Sequence, residues 1–88
     1  VYFLVKVRVD PKKLAEFGAR LQQGALDNTS ILFTYCLAND PAVGLSVWEV
    51  ESGKDFDAKF AAWRPYYSEV DVSEVVTPAE AQRLLLQG

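Results

Sequence analysis

Histidine is absent from the sequence. The commonest general base and a principal zinc ligand go with it, so neither a Ser-His-Asp triad nor histidine-based zinc chemistry can be built here. Cys36 is the one cysteine, which rules out an internal disulfide and fits a reducing compartment, the cytoplasm. Inside an apolar strand such a residue is expected to be a small buried hydrophobe. Methionine is missing as well, so residues can precede Val1. Neither a basic leader nor a cleavage site is visible at the start. Long apolar runs are lacking too: none approaches the ~20 residues that a membrane span needs, and no membrane partner is expected. The nine Lys and Arg against twelve Asp and Glu give a net charge of -3. The basic residues are scattered, so there is no patch for a phosphate backbone and no nucleic-acid partner is expected.

What is present is apolar and aromatic. Half of the 88 residues are hydrophobic. A chain of this length makes one domain, 1–88, and buries only about 60 to 70 per cent of its unfolded surface. The pattern opens with a strand, Val1 to Val9, in which Val1, Phe3, Val5, Val7 and Val9 share one face, expected to be core, and Tyr2, Leu4, Lys6 and Arg8 the other. Asp10 and Pro11 then suit the start of a helix whose buried stripe is Leu14, Phe17 and Leu21, with Gly24 as its left-handed stop. A polar connection, Ala25 to Thr29, leads to a second strand, Ser30 to Ala38. If Asn39 to Ala42 form the loop of a hairpin, Phe33 falls opposite Trp48 and Tyr35 opposite Ser46.

The third strand, around Leu45 to Val50, stops at Ser52, which with Asp55 has the spacing of a helix cap. Phe56, Phe60 and Trp63 recur at helical spacing and must lie on the sheet. Pro65 ends that helix, and Tyr66 and Tyr67 lead into the last strand, Ser68 to Val76. Thr77, Pro78 and Glu80 cap a closing helix that is expected to bury Ala81, Leu84 and Leu85.

The order strand, helix, strand, strand, helix, strand with a tail helix is an α+β, ferredoxin-like pattern, βαββαβ with a C-terminal helix. Right-handed crossovers give a four-stranded antiparallel sheet in the order 4-1-3-2. Charges offer a check on the register. If the outer strands are antiparallel neighbours, placing Arg8 opposite Glu69 also places Lys6 opposite Asp71. Two helices cover one sheet face only, so the other is left with Tyr2, Leu4, Phe33, Tyr35 and Trp48. A wet aromatic patch of that kind marks an interface, and a homodimer through it is expected.

The strand SVWEVES running into a capped helix, the FAAW helix segment and the closing EVDVSEVVTPAEA resemble the dimeric α+β barrel superfamily over nearly the whole chain. Within it they are similar to small bacterial single-domain members related to the antibiotic-biosynthesis monooxygenases. Members often carry a histidine late in the second helix, where this chain has Lys59, and that departure speaks against the haem-degrading and metal-assisted branches. The resemblance implies a paired barrel. It does not imply one chemistry, because the superfold hosts isomerases, dechlorinases, oxygenases and proteins without known activity.

Three functional expectations follow. The first is binding of a small apolar or aromatic molecule between helices and sheet, lined by Trp63, Tyr66, Phe56 and Phe60 with Thr34 or Glu49 as the polar contact. The plainer reading of Phe56 and Phe60 is core filling. The second is a cofactor-independent monooxygenase or isomerase acting on an aromatic substrate. Its candidate acid or base is Glu49, which the alternation sets among Leu45 and Val47, where desolvation would raise its pKa. A glutamate at a strand end that reaches water is the plainer alternative. The third is a structural or partner-binding dimer. Neither cofactor nor metal is expected, because Glu69 and Asp71 share a strand face while Glu74 lies on the other.

Overall fold

A computed structural model describes residues 1–87. Four strands, β1 (Tyr2–Val9), β2 (Ile31–Leu37), β3 (Asp40–Glu49) and β4 (Tyr67–Val75), form one antiparallel sheet in the order β2-β3-β1-β4. Three helices, α1 (Leu14–Gln22), α2 (Gly53–Phe60) and α3 (Pro78–Gln87), complete it. This is the ferredoxin-like α+β fold with a C-terminal helix, and the strand order is the one that right-handed crossovers require. None of the described helices is long and apolar enough to cross a membrane.

The charge check holds at both rungs: Arg8 lies opposite Glu69 and Lys6 opposite Asp71. Arg8 also reaches Asp40 at 2.9 Å and Glu69 at 3.5 Å. Asp40, accepting from the guanidinium, is the main cause that raises the Arg8 pKa. Pairs this exposed are screened by solvent and add little, which favours a register without holding the fold.

The hairpin corrects one expectation. Its turn is only Ala38 and Asn39, and Phe33 lies opposite Val47, with Tyr35 opposite Leu45. A slip of one residue sends every side chain to the other face. Trp48 therefore leaves the open face on which the alternation had set it and lies opposite Phe3 in β1 and Ile31 in β2. It is 1% exposed and meets Phe56, Phe60 and Trp63 edge-on at 5.5–5.8 Å. The open face keeps Tyr2, Leu4, Leu45 and Val47 on the central strands and Phe33 and Tyr35 at the edge.

The helices dock unequally. α2 begins where Ser52 Oγ accepts from the Asp55 N–H at 3.1 Å, and Phe56 and Phe60 are both buried. It ends at Phe60, one turn earlier than Pro65 suggested, and Pro65 instead sits in a 3₁₀ turn, Arg64–Tyr66. α1 ends as expected near Gly24, whose φ of 67° is left-handed, but it buries no residue: Leu14 is 59% and Leu21 47% exposed. The core takes Leu26 instead, from the connection that looked purely polar. α3 is capped by Thr77, as its sequence says, yet Leu84, Leu85 and Leu86 are exposed and Ala81 is half-buried.

Candidate functional site

A cavity of about 450 Å³ lies on the helix side of the sheet, between α1 and the β2–β3 hairpin. Its origin is legible in the rungs of the hairpin. Cys36 lies opposite Gly44 and Thr34 opposite Ser46, so two successive rungs carry only small side chains. The next rung, Ile31 opposite Trp48, is bulky and closes that end. α1 cannot sink into the gap, because Phe17 rests on a ledge of rings: Tyr66 stacks on it at 5.1 Å, and Tyr67 and Trp63 meet it edge-on at 5.6 and 6.1 Å. Aromatic pairs at these separations are favourable in themselves, so the ledge is a stable arrangement.

Of the residues expected to line a pocket, Trp63, Phe60 and Thr34 do so. Trp63 follows the C-terminus of α2, with its Nε1–H donated to the Asp27 carbonyl at 3.3 Å. That bond ties the wall of the cavity to the segment before β2. Tyr66 and Phe56 are buried but do not line the cavity. Tyr66 closes the 3₁₀ turn and stacks on Phe17, while its neighbour Tyr67, the first residue of β4, faces the space. Glu49 lies on the opposite face of the sheet, exposed, across from Tyr2. The desolvation on which its acid or base role rested is absent there. The Tyr2 pKa is raised instead, chiefly by the hydrogen bond between its hydroxyl and Glu49.

Tyr2, Leu4, Phe33 and Tyr35 stay on the face expected to form the dimer interface, and Trp48 does not. Phe33, on the edge strand, also borders the cavity.

Among the contributors that escaped the sequence reading are Trp48, Tyr67, Ser46, Gly44 and Cys36. Gly44, Ser46 and Trp48 recur with the period of one strand face, and this alternation of small residues ending in a tryptophan was the available signal. Cys36 is exposed to the cavity, not packed in the core, because the rung opposite it is a glycine. The Tyr67 phenol is pushed up to about 12, first by burial and then by the neighbouring Cys36. It stays protonated at neutral pH and can donate a hydrogen bond. Ser46 Oγ accepts from Trp48 Nε1 at 3.0 Å, which leaves its own hydrogen free to donate. The cavity thus has aromatic walls and a few neutral hydroxyls, the usual make-up of a small-molecule pocket.

No protein-family model matches the sequence, and no curated protein matches it. Among solved structures, the chain is similar to the 5-chloro-2-hydroxyhydroquinone dehydrochlorinase of Burkholderia phenoliruptrix in complex with 2,5-dihydroxybenzoquinone, with a TM-score of 0.61 and 13% identity over 91% of this chain and 98% of that one. The two chains share a fold. Two antibiotic-biosynthesis-monooxygenase-like chains are also similar. The one from Chloroflexus aurantiacus has a TM-score of 0.45 and 22% identity over 86% of this chain and 93% of that one. The one from Bordetella bronchiseptica has a TM-score of 0.46 and 19% identity over 86% and 96%. The dehydrochlorinase likeness reaches the architecture and stops there, since one superfold carries many chemistries.

Proposed function

We propose that the protein binds a small apolar or aromatic molecule in the cavity beneath α1, and that it does so as a homodimer paired through the open face of the sheet, in the cytoplasm. The observation that carries the reading is the cavity itself: about 450 Å³, walled by Trp48, Trp63, Phe60, Phe17 and Tyr67. Pockets for drug-sized ligands run from about 300 to 1,000 Å³ and have mostly apolar walls. The similar dehydrochlorinase, whose structure holds 2,5-dihydroxybenzoquinone, makes a planar ring a reasonable occupant.

Both tryptophans border the cavity, so both should report binding. Titration with naphthalene is expected to shift the indole N–H signals of Trp48 and Trp63 together and saturably. Shifts confined to the open sheet face, or none near solubility, would overturn the reading.

Catalysis on an aromatic substrate without a cofactor is the second reading, and the shared fold with a dehydrochlorinase favours it. Glu49 is on the wrong face for that role, which leaves Tyr67 and Cys36 as the titratable groups at the cavity. Oxygen uptake or halide release with hydroquinones tests it. A turnover unchanged by Tyr67→Phe and Cys36→Ser would remove both residues from the mechanism.

A further inference from the structure

Among the described residues that line the cavity, none carries a charge. The charged groups of the sheet are elsewhere: Lys6, Arg8, Glu69 and Asp71 occupy the β1–β4 rungs of the open face, and Asp40 joins them through Arg8. An ionised ligand entering the cavity would give up its hydration and meet no opposite charge, which is strongly unfavourable.

The polar side chains that are present are neutral: the hydroxyls of Ser46, Thr34 and Tyr67, the Cys36 thiol and the Asn28 amide. Ser46 Oγ accepts from Trp48 Nε1 at 3.0 Å, which fixes the side chain and leaves its hydrogen free to donate. Thr34, directly opposite on the neighbouring strand, also lines the cavity and adds a second hydroxyl at the same rung. The floor on either side is apolar: Gly44 with Val7 behind it at one end, Trp48 and Ile31 at the other.

We propose that the cavity selects an uncharged ligand with an apolar body and a single carbonyl-type oxygen, which accepts a hydrogen bond at the Ser46–Thr34 rung. This rests on the cavity being a binding site and goes further, to the class of molecule it takes. The Tyr67 hydroxyl supports it as another neutral donor, kept protonated by burial.

Three probes of nearly one shape separate the contributions: 2-acetylnaphthalene, which has the acceptor; 2-isopropenylnaphthalene, in which a methylene replaces the oxygen; and 2-naphthoate, which is anionic at neutral pH. Binding is read from amide shifts at Thr34, Gly44 and Ser46. The ketone should bind about tenfold more tightly than the hydrocarbon, as one retained hydrogen bond implies, and the carboxylate should bind at least as weakly as the hydrocarbon. In Ser46→Ala the preference for ketone over hydrocarbon should shrink to about twofold or less. Thr34→Val, at an exposed position that disturbs no core contact, should also reduce it. Equal binding of ketone and hydrocarbon would overturn the acceptor site, and naphthoate binding as tightly as the ketone would overturn the charge selection. If none of the three shifts these amides, the cavity is not a binding site and the underlying reading falls with this one. Should Ser46→Ala not fold, the wild-type series and Thr34→Val still decide.

Discussion

At Gly44 a side chain has somewhere to go. A Cβ placed there would meet Val7 Cγ2 at 3.6 Å and Cys36 Sγ at 4.0 Å, both ordinary contacts. Gly44→Leu is therefore expected to fill the cavity while the protein still folds, and to weaken binding of naphthalene at least about tenfold, as when a ligand's apolar contacts are lost. Calorimetry on the variant checks this, and unchanged affinity would place the ligand elsewhere. Tyr67 gives a second test. Its folded pKa of about 12 exceeds the ordinary 10.0, so its contribution to stability is complete below about pH 10 and is lost as the pH rises through about 12. Melting temperatures should fall over that interval more for the wild type than for Tyr67→Phe, and parallel curves would show that Tyr67 does not take part.

At the scale of elements, α1 and α2 have similar lengths and similar amphipathic patterns but different holds on the sheet. α2 buries Phe56 and Phe60, whereas α1 touches the core mainly through half-buried Phe17. Segments with few buried contacts open at low free-energy cost. Amide exchange in α1 is expected to be faster than in α2 in the free protein, and to slow when naphthalene occupies the cavity, because a ligand beneath α1 supplies apolar surface for Leu21, which lines it. Protection that rises equally across all helices would instead indicate general stabilisation. The difference between the helices is invisible in their sequences. Leu14, Phe17 and Leu21 form as good a stripe as Phe56, Phe60 and Trp63, but the surface that each stripe meets is set by rungs far away in the chain.

For the whole molecule, the open face is an apolar area without a covering layer among the described residues. Leu4, Phe33 and Tyr35 are 36%, 45% and 69% exposed, and α3 adds Leu85 and Leu86 at 80% each. Patches of this kind normally mark an interface. Sedimentation at tens of micromolar should show a dimer, and Tyr35→Asp should dissociate it by setting an unpaired charge in a dry contact. A wild-type monomer would remove the homodimer from the proposed function. Asp at position 48 would not test the interface. Trp48 is fully buried beneath α2, and a charge there would unfold the chain.

The sequence by itself determined the order of elements, the strand order, the caps at Ser52 and Thr77, the left-handed stop at Gly24 and the charged rungs of β1 and β4. These follow from periodicity, from side chains acting within a few residues, or from topology rules that hold for any chain of this pattern. Tertiary structure alone decided which face Trp48 takes, that Tyr67 and not Tyr66 meets the cavity, that Glu49 stays in water, and that α1 stands off the sheet. Each depends on contacts between residues far apart in the chain, and for Trp48 on the parity of a strand pairing. The side-chain period of a strand is two, so the register shift between Cys36 and Leu37, just past the turn of Ala38 and Asn39, moves every residue beyond it to the opposite face, and local preferences carry almost no energy with which to choose between the two.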